Sequence, residues 1–211
     1  MTSFWITAIG LMAQGLFSAR LIVQWLKSEK EGKVVSPTIF WQLSLCASFL
    51  LIIYGVLRND IIIIAGQAFG YFIYIRNLRF KHAWHYLPHW FKYLVIIAPV
   101  AGTAYLLGNS QFHFHQLVEN PAIPLSLMIW GTVGQVIFTF RFVYQWIYSE
   151  REKVSILPAG FWVISLVGSL FIIVYGIIRC DIVLITGQIF GVFIYSRNLI
   201  LISKNQTVKQ Y

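Results

Sequence analysis

Seven long apolar stretches run along this chain of 211 residues and constrain its fold more than any other feature. A helix needs about 20 apolar residues to cross a bilayer core, and backbone groups cannot stay unsatisfied among lipid tails. Each stretch is therefore predicted to form a membrane-spanning helix. The predicted spans run from Phe4 to Leu26, Thr38 to Leu57, Ile61 to Arg79, Trp90 to Leu107, Pro124 to Tyr148, Gly160 to Ile178 and Ile182 to Ile202.

The composition supports a lipid environment. Hydrophobic residues make up 58% of the chain and charged residues 11%, whereas soluble domains have roughly a quarter charged residues. This apolar content exceeds what one soluble core of this length can bury. A disulfide scaffold is excluded, because the two cysteines are Cys46, which is expected in mid-membrane, and Cys180.

The basic residues predict the orientation of the helices. Short cytoplasmic loops of membrane proteins are rich in Lys and Arg. With the N-terminus outside and the C-terminus in the cytoplasm, most of the 16 basic residues face the cytoplasm, and only Arg58 and Arg179 face outward. The net charge of +9 then reflects topology and anionic lipid headgroups, so no nucleic-acid partner is expected.

The chain contains an internal duplication with an offset of 121 residues and no gaps. From Tyr54 to Leu78, 16 of 25 positions are identical to those from Tyr175 to Leu199. Each copy holds three helices, so helix four is needed between the copies to give both the same orientation. The predicted fold is an all-α polytopic membrane protein with two parallel three-helix repeats and an inversion helix, a 3+1+3 plan of the kind that transporters use. A pathway between the halves is expected.

The predicted domains follow this duplication. They are a first repeat at 1–80, an amphipathic segment with linker helix four at 81–123, a second repeat at 124–203 and a cytoplasmic tail at 204–211.

Paired arginines are the strongest functional candidates. Six of the eight arginines occupy equivalent positions in the two repeats, whereas no lysine matches a lysine. A planar guanidinium can bind phosphate through two hydrogen bonds. Arg20 and Arg141 lie inside helices one and five, where a charge costs roughly 2.5 to 3.5 kcal/mol and normally faces a cavity or a partner. The alternative is that both side chains snorkel to the headgroups without a ligand.

Residues near these arginines complete the predicted binding set. A polar stripe on helices one and five has near-helical spacing and is expected to face the bundle interior. The ends of helices three and seven could extend a phosphate site, although anchoring at the membrane interface explains them nearly as well. The predicted substrate-binding residues are Arg20, Arg141, Gln24, Gln145, Gln14, Gln135, Trp25, Trp146, Arg76, Arg197, Asn77 and Asn198.

Two further sets have a structural and a functional interpretation. The short outer connections contain residues that form either loop ion pairs and helix caps or an outer gate; these are Arg58, Asp60, Arg179 and Asp181. Small residues four apart predict close helix packing, and they are Gly66, Gly70, Gly187 and Gly191. Gln67 and Gln188 offer interhelical hydrogen bonds, and the pairs Ser44 and Ser48, and Ser165 and Ser169, are expected to join helices.

The sequence predicts no metal, no cofactor and no catalytic residue. His82, His85 and His89 are interrupted by Pro88 and have no nearby cysteine or carboxylate. The basic aromatic segment that contains them is typical of a membrane surface. Nucleophile constellations, phosphate loops and HExxH helices are absent from the sequence, and none of the seven acids lies in mid-membrane to act as a base.

Both copies carry Arg-x3-Gln-Trp-x2-Ser-Glu, Phe-Trp, Tyr-Gly-x2-Arg-x-Asp, Gly-Gln-x2-Gly and Tyr-x-Arg-Asn-Leu. This set resembles the lipid-A biosynthesis N-terminal domain family. The resemblance implies a bacterial inner-membrane protein, and a domain that also occurs fused to lipid-A-disaccharide synthases. In that membrane, the orientation predicted from the basic residues gives a periplasmic N-terminus. It also implies a relation to the PQ-loop and SWEET transporters. Pro37 and Pro158 precede Thr and Ala, so a SWEET-like proline mechanism does not carry over.

These observations favour a transporter or flippase that moves a lipid-linked phosphosugar, such as a polyprenyl-phosphate sugar, for lipid A or lipopolysaccharide biosynthesis. Arg20 and Arg141 would bind the phosphate, with help from Arg76 and Arg197. Gln24 and Gln145 would hold sugar hydroxyls, and Trp25 and Trp146 could stack on the sugar ring. The alternatives are a non-catalytic membrane subunit that recruits an envelope glycosyltransferase, and a component of lipid-A-disaccharide synthase. Expected partners are membrane lipids, the phosphosugar and, in the second case, the glycosyltransferase.

Cys180 tests the predicted orientation. In a Cys46→Ser background, we expect a membrane-impermeant maleimide to label Cys180 from the periplasmic side. A control cysteine at Lys153, in a background with both native cysteines replaced by Ser, should react only in inside-out vesicles. Labelling of Cys180 only from the cytoplasmic side would show that the orientation is opposite to the predicted one.

Overall fold

The structure is a computed structural model that describes residues 2–57, 61–108, 124–180 and 182–208. These residues form seven α-helices. In chain order they are α1 (Thr2–Glu31), α2 (Thr38–Leu57), α3 (Ile61–Phe80), α4 (His89–Gly108), α5 (Leu125–Glu152), α6 (Ala159–Ile178) and α7 (Ile182–Val208).

All seven predicted helices are confirmed as helices, and they differ from the prediction at their ends. Helices α1, α5 and α7 continue past the apolar stretch for more than a turn. In α1, the Trp25 indole N–H donates to Glu29 Oε1 at 2.9 Å. In α5, Trp146 donates to Glu150 Oε1 at 3.1 Å. Contacts between side chains four residues apart stabilise a helix. They therefore extend α1 and α5 over polar residues that lie beyond the apolar stretches used for the prediction.

The described helices have the apolar surface of a membrane protein. Four of them, α1, α2, α5 and α6, are long and apolar enough to span a membrane. Large apolar side chains are exposed along them, such as Leu11 at 67% and Val136 at 62%. Contiguous apolar surface of this kind is unfavourable in water and suits lipid. The other three spans, the 3+1+3 topology and the orientation remain predictions.

The helices pack into two compact units that differ from the sequence repeats. The first unit contains Met1–Arg20 and Pro37–Glu119, and the second contains Leu21–Ser36 and Asn120–Tyr211. Helix α1 therefore contributes its first turns to the first unit and its last turns to the second. Helix α4 belongs to the first unit, where Gly102 lies close to Val56 and Ile52.

Helices α5 and α6 pack closely in the second unit, where Gly134 and Gly168 leave room for the opposite helix. A Cβ at Gly134 would lie 2.7 Å from Phe171 Cβ, and one at Gly168 would lie 2.8 Å from the backbone of Phe138. The equivalent residues of the first repeat are Ala13 and Ala47, both fully buried. At these positions α5 and α6 lie too close together for the alanine methyl groups that the first repeat has.

The same reversal of the chain follows α1 and α5 at equivalent positions. Gly32 and Lys153 both have left-handed backbone angles, with φ of 64° and 55°. The returning chain then donates a backbone N–H to a serine hydroxyl on the helix, from Val35 to Ser28 at 3.1 Å and from Ile156 to Ser149 at 3.3 Å. These bonds hold the returning chain against the last turns of the helix that precedes it.

Gly168→Ala tests the close packing of α5 and α6. The new methyl group would overlap the Phe138 backbone, so we expect a loss of about 1–3 kcal/mol, the usual cost of overpacking. Gly187→Ala is the matched control, because a Cβ there meets nothing within 4 Å. The measurement is the thermal unfolding midpoint of the solubilised protein, and equal midpoints for the two variants would contradict the packing.

Candidate functional site

Arg20 is buried inside the first unit, where its side chain is 5% exposed. Its Nη1 donates to Ser44 Oγ at 2.8 Å and to Tyr74 Oη at 3.4 Å. The Ser44 hydroxyl donates in turn to the Phe40 carbonyl at 2.6 Å. The guanidinium thus joins α1 to α2 and α3 through hydroxyl groups that replace part of its lost hydration.

Aromatic rings surround the same guanidinium. Its Cζ lies 4.5 Å from the ring centroid of Phe17, 5.1 Å from that of Phe40 and 5.9 Å from that of Tyr74. Cations are attracted to ring faces within about 6 Å, more strongly when water is excluded. We refer to Arg20, Phe17, Phe40, Ser44 and Tyr74 as the Arg20 site.

Arg141 occupies an equivalent setting in the second unit and is 6% exposed. Its Nη1 donates to Tyr195 Oη at 3.4 Å. Its Cζ lies 3.4 Å from the ring centroid of Phe138, 5.9 Å from that of Phe161 and 6.0 Å from that of Tyr195. We refer to these four residues as the Arg141 site. Both guanidinium groups are enclosed by helices of their own unit, a geometry that differs from snorkelling to the headgroups.

A pair of buried amides lies between the end of α1 and α7 in the second unit. Gln24 Nε2 donates to Asn198 Oδ1 at 2.9 Å, and Asn198 Nδ2 donates back to Gln24 Oε1 at 3.2 Å. Gln24 also donates to the Ser28 hydroxyl at 2.9 Å. Buried amides need such partners, because an unsatisfied polar group is costly away from water. The predicted sugar-binding Gln24 is therefore engaged within the protein here.

Gln145 and Asn77 hold similar local bonds at the equivalent positions. Gln145 Nε2 donates to Ser149 Oγ at 2.8 Å and to the Ile156 carbonyl at 2.9 Å. Asn77 Nδ2 donates to the Ile73 carbonyl at 2.9 Å. Both amides are fully buried.

A second polar contact between α1 and α7 is an ion pair near the amide pair. Arg197 binds Glu29 through two hydrogen bonds, one from Nε to Oε1 and one from Nη2 to Oε2 at 2.9 Å. The same carboxylate accepts the Trp25 indole N–H, and the Trp25 ring meets Phe193 edge to face at 5.4 Å. Glu29 was not among the predicted site residues. Glu29 belongs to a Ser-Glu pair that occurs in both repeats, and this repetition was the signal that could have identified it.

The remaining predicted residues lie outside these clusters. Gln14 and Gln135 are exposed, and Trp146 contacts Glu150 of its own helix. The Arg76 guanidinium lies 4.4 Å from the ring centroid of Phe80.

The outer connections are described only in part. Arg179 is exposed in the turn after α6. Arg58, Asp60 and Asp181 of the predicted gate lie outside the described residues. The surroundings of the packing residue Gly66 are not described either.

The helix contacts expected from serine and glutamine are present. Ser48 donates to Gln67 Oε1 at 2.7 Å, and Ser169 donates to Gln188 Oε1 at 2.8 Å.

The glycines of the predicted packing faces have other neighbours. At Gly70 and Gly191 the atoms nearest to an added Cβ belong to the tyrosines four residues later, Tyr74 and Tyr195. An added Cβ at Gly187 meets open space. Gly70 and Gly191 therefore make room for the rings that line the Arg20 and Arg141 sites.

The described arrangement suits anion binding more than acid–base or metal chemistry. No group of three or more metal-ligating side chains occurs within the described ranges. A buried guanidinium beside hydroxyl groups can bind a phosphate or carboxylate through directed hydrogen bonds. In this structure both guanidinium groups are closed off from solvent, so a ligand needs helix movement to reach them.

The fold and the two sites define a helical membrane protein whose duplicated repeats each bury one arginine. Residues 9–79 and 130–200 match the Lipid A Biosynthesis N-terminal domain. The chain therefore belongs to this family and contains two copies of the domain. The matched residues include both Arg20 and Arg141.

Curated relatives are lipid-A-disaccharide synthases from Chlamydia. The protein from Chlamydia muridarum is 29% identical over 99% of this chain and 36% of its own length. Those from Chlamydia trachomatis serovar D and Chlamydia pneumoniae are 29% and 27% identical, over 99% and 96% of this chain and 36% and 34% of their own lengths. The chain thus spans about a third of the length of these relatives. No solved structure matches it.

Glu29→Gln tests the ion pair between α1 and α7. Loss of the carboxylate charge weakens the bonds from Arg197, so we expect a lower thermal unfolding midpoint in detergent. The exchange Glu29→Arg with Arg197→Glu should recover part of the loss. Glu152→Gln, at an exposed position, is the control and should leave the midpoint unchanged. An equal midpoint for Glu29→Gln and wild type would show that the pair contributes nothing to stability.

Proposed function

We propose that this protein is an inner-membrane transporter that moves a lipid-linked phosphosugar in lipid A or lipopolysaccharide biosynthesis. The family and the lipid-A-disaccharide synthase relatives support a role in lipid A biosynthesis. The observation that carries the proposal is the buried arginine, held by a tyrosine hydroxyl and ring faces, at the same position in both repeats.

The chemistry of the two sites supports a phosphate ligand. A guanidinium binds phosphate with two parallel N–H bonds, and such charge-assisted bonds are about twice as strong as neutral ones. The Ser44 and Tyr74 hydroxyls that now accept from Arg20 are neutral partners. A phosphate in their place would add charge–charge attraction to the guanidinium, which the hydroxyl groups do not supply. The surrounding rings also offer apolar faces for the C–H groups of a sugar.

Burial of both guanidinium groups supports a transport cycle with a closed state. At 5% and 6% exposure, neither site is open to a bulky headgroup as the helices stand. Entry of the ligand requires α1 to separate from α2 and α3 in the first unit, and α5 to separate from α6 and α7 in the second. Hydrogen bonds of 3.4 Å to Tyr74 and Tyr195 are long for a hydroxyl acceptor and are readily exchanged.

The amide pair and the ion pair have a different part in this proposal. Gln24, Asn198, Glu29 and Arg197 bind one another at the end of α1 that is expected to face the cytoplasm. We assign them to closing that end of the second unit, and Arg197 would reach the phosphate only when its bonds to Glu29 break. This role replaces direct sugar binding by Gln24.

A second function is favoured by the size of the relatives. They are about three times as long as this chain and bear the name of an enzyme. A membrane subunit that recruits an envelope glycosyltransferase fits this relation, because the matched region would then hold the enzyme near its lipid substrate. This subunit would copurify with the enzyme and would not move lipid-linked sugars.

Arg20→Lys tests the transporter. Lysine keeps the charge but loses the planar fork, so we expect transport of a polyprenyl-phosphate sugar to fall about tenfold or more, the effect of losing one hydrogen bond between charged groups. The assay uses purified protein in vesicles and measures how much sugar becomes exposed on the opposite leaflet. Arg141→Lys should behave in the same way.

Arg151→Lys is the matched control, because Arg151 is exposed at the end of α5. All variants are compared at equal amounts of folded, monodisperse protein. Transport by Arg20→Lys at the wild-type rate would exclude phosphate binding by the guanidinium fork. Vesicles without any transport, from protein that copurifies with a glycosyltransferase, would favour the second function.

A further inference from the structure

An apolar cavity of about 320 Å³ lies in the first unit between α2, the end of α3 and the start of α4. Its walls are almost entirely apolar, and they include Leu45, Cys46, Leu78, Leu87, Trp90 and Phe91. Ligand pockets range from roughly 300 to 1,000 Å³. This cavity therefore has room for one acyl chain and not for a whole lipid.

The cavity results from a difference between the repeats. In the second repeat, Val163 and Val167 occupy the positions of Gln42 and Cys46 and are 47% and 40% exposed. In the first repeat, the same face of α2 is covered by α4 and by the connection at 81–88, which have no counterpart in the duplication. The spacer thus converts an open helix face into a cavity, and Gln42 adds one amide to its wall.

Basic residues accompany this cavity. The Cζ of Arg79 lies 6.0 Å from the ring centroid of Trp84, in the connection at 81–88 that covers the cavity. The Lys92 ammonium donates to the His85 carbonyl at 3.1 Å, which fixes it against the connection and leaves two N–H groups for another acceptor. No Asp or Glu occurs between Asp60 and Glu119, so this region of the chain carries only positive side-chain charge.

Exposed aromatic residues place this connection at a membrane surface. Tyr86, Trp90 and Tyr93 are all largely exposed. Tyrosine and tryptophan are enriched where the hydrocarbon layer meets the headgroups, so an apolar cavity beside them opens at headgroup level. An anionic lipid matches both the apolar wall and the positive rim.

We infer that this cavity holds one acyl chain of an anionic phospholipid, with the phosphate bound at the basic rim formed by Arg79 and Lys92. The site belongs to the first unit and is separate from the Arg20 site. It is independent of the proposed transport and gives the spacer a function as part of a lipid site.

Cys46→Trp tests the cavity, because the indole fills it from the wall of α2. Purified protein is equilibrated with vesicles of equal parts phosphatidylglycerol and phosphatidylcholine, and the lipids that remain bound are counted by native mass spectrometry. Wild type is expected to retain one phosphatidylglycerol in preference to phosphatidylcholine, and Cys46→Trp is expected to lose this preference. Val167→Trp is the matched control at the equivalent position and should keep it.

Lys92→Gln tests the rim. We expect the preference for phosphatidylglycerol to fall about fivefold, the effect of one basic residue near anionic headgroups. Lys153→Gln removes the same charge at an exposed position of the second unit and should have no effect. Leu87→Trp fills the cavity from the connection and replaces Cys46→Trp if that variant does not fold.

Three results would overturn the inference. One is equal retention of the two lipids by wild type. Another is an unchanged preference in the cavity-filling variants or in Lys92→Gln. The third is the same loss in Val167→Trp as in Cys46→Trp. Each of these leaves the transport assay of the Arg20 site unaffected, so the two ideas stand or fall separately.

Discussion

Each unit of this protein must satisfy a guanidinium that has been removed from water. A charge in an apolar interior is costly unless hydrogen bonds and favourable electrostatics replace its hydration. Around Arg20 these come from Ser44 on α2, from Tyr74 on α3 and from nearby ring faces. The requirement therefore fixes which faces of the helices meet. It also explains why Gly70 and Gly191 stand beside the tyrosine rings, since a larger side chain would displace the ring that binds the arginine.

The two repeats satisfy the same requirement and then differ. Helices α5 and α6 approach through glycine at positions where the first repeat has buried alanine. The first unit includes α4 and the apolar cavity, while the second includes the end of α1 with its amide and ion pairs. Each unit thus contains an equivalent arginine site, and the units differ in that the first contains an apolar cavity and the second an amide pair and an ion pair.

Local patterns in the sequence predicted a large part of this structure. Apolar length located the helices, and the repeat identified the family and the paired arginines. Gln67 was expected to form an interhelical hydrogen bond and Ser48 to join helices, and the structure shows that the two bond each other. The pairing of Glu29 with Arg197 was not predicted, because it joins distant segments and periodicity describes only one helix at a time. Gln14 shares a stripe with Arg20 yet is exposed, since spacing defines a face and not how far a neighbouring helix covers it.

Helix α1 is divided between the two units, and this division affects how the protein assembles. The partner of Gln24 is Asn198, which is synthesised 174 residues later. The last turns of α1 must therefore wait for α7 before the Gln24 amide is satisfied, and closing so long a loop is slow. A polypeptide cut within the spacer would separate these partners. The hydrogen bonds of the first helix are therefore completed only after both copies of the domain have been synthesised.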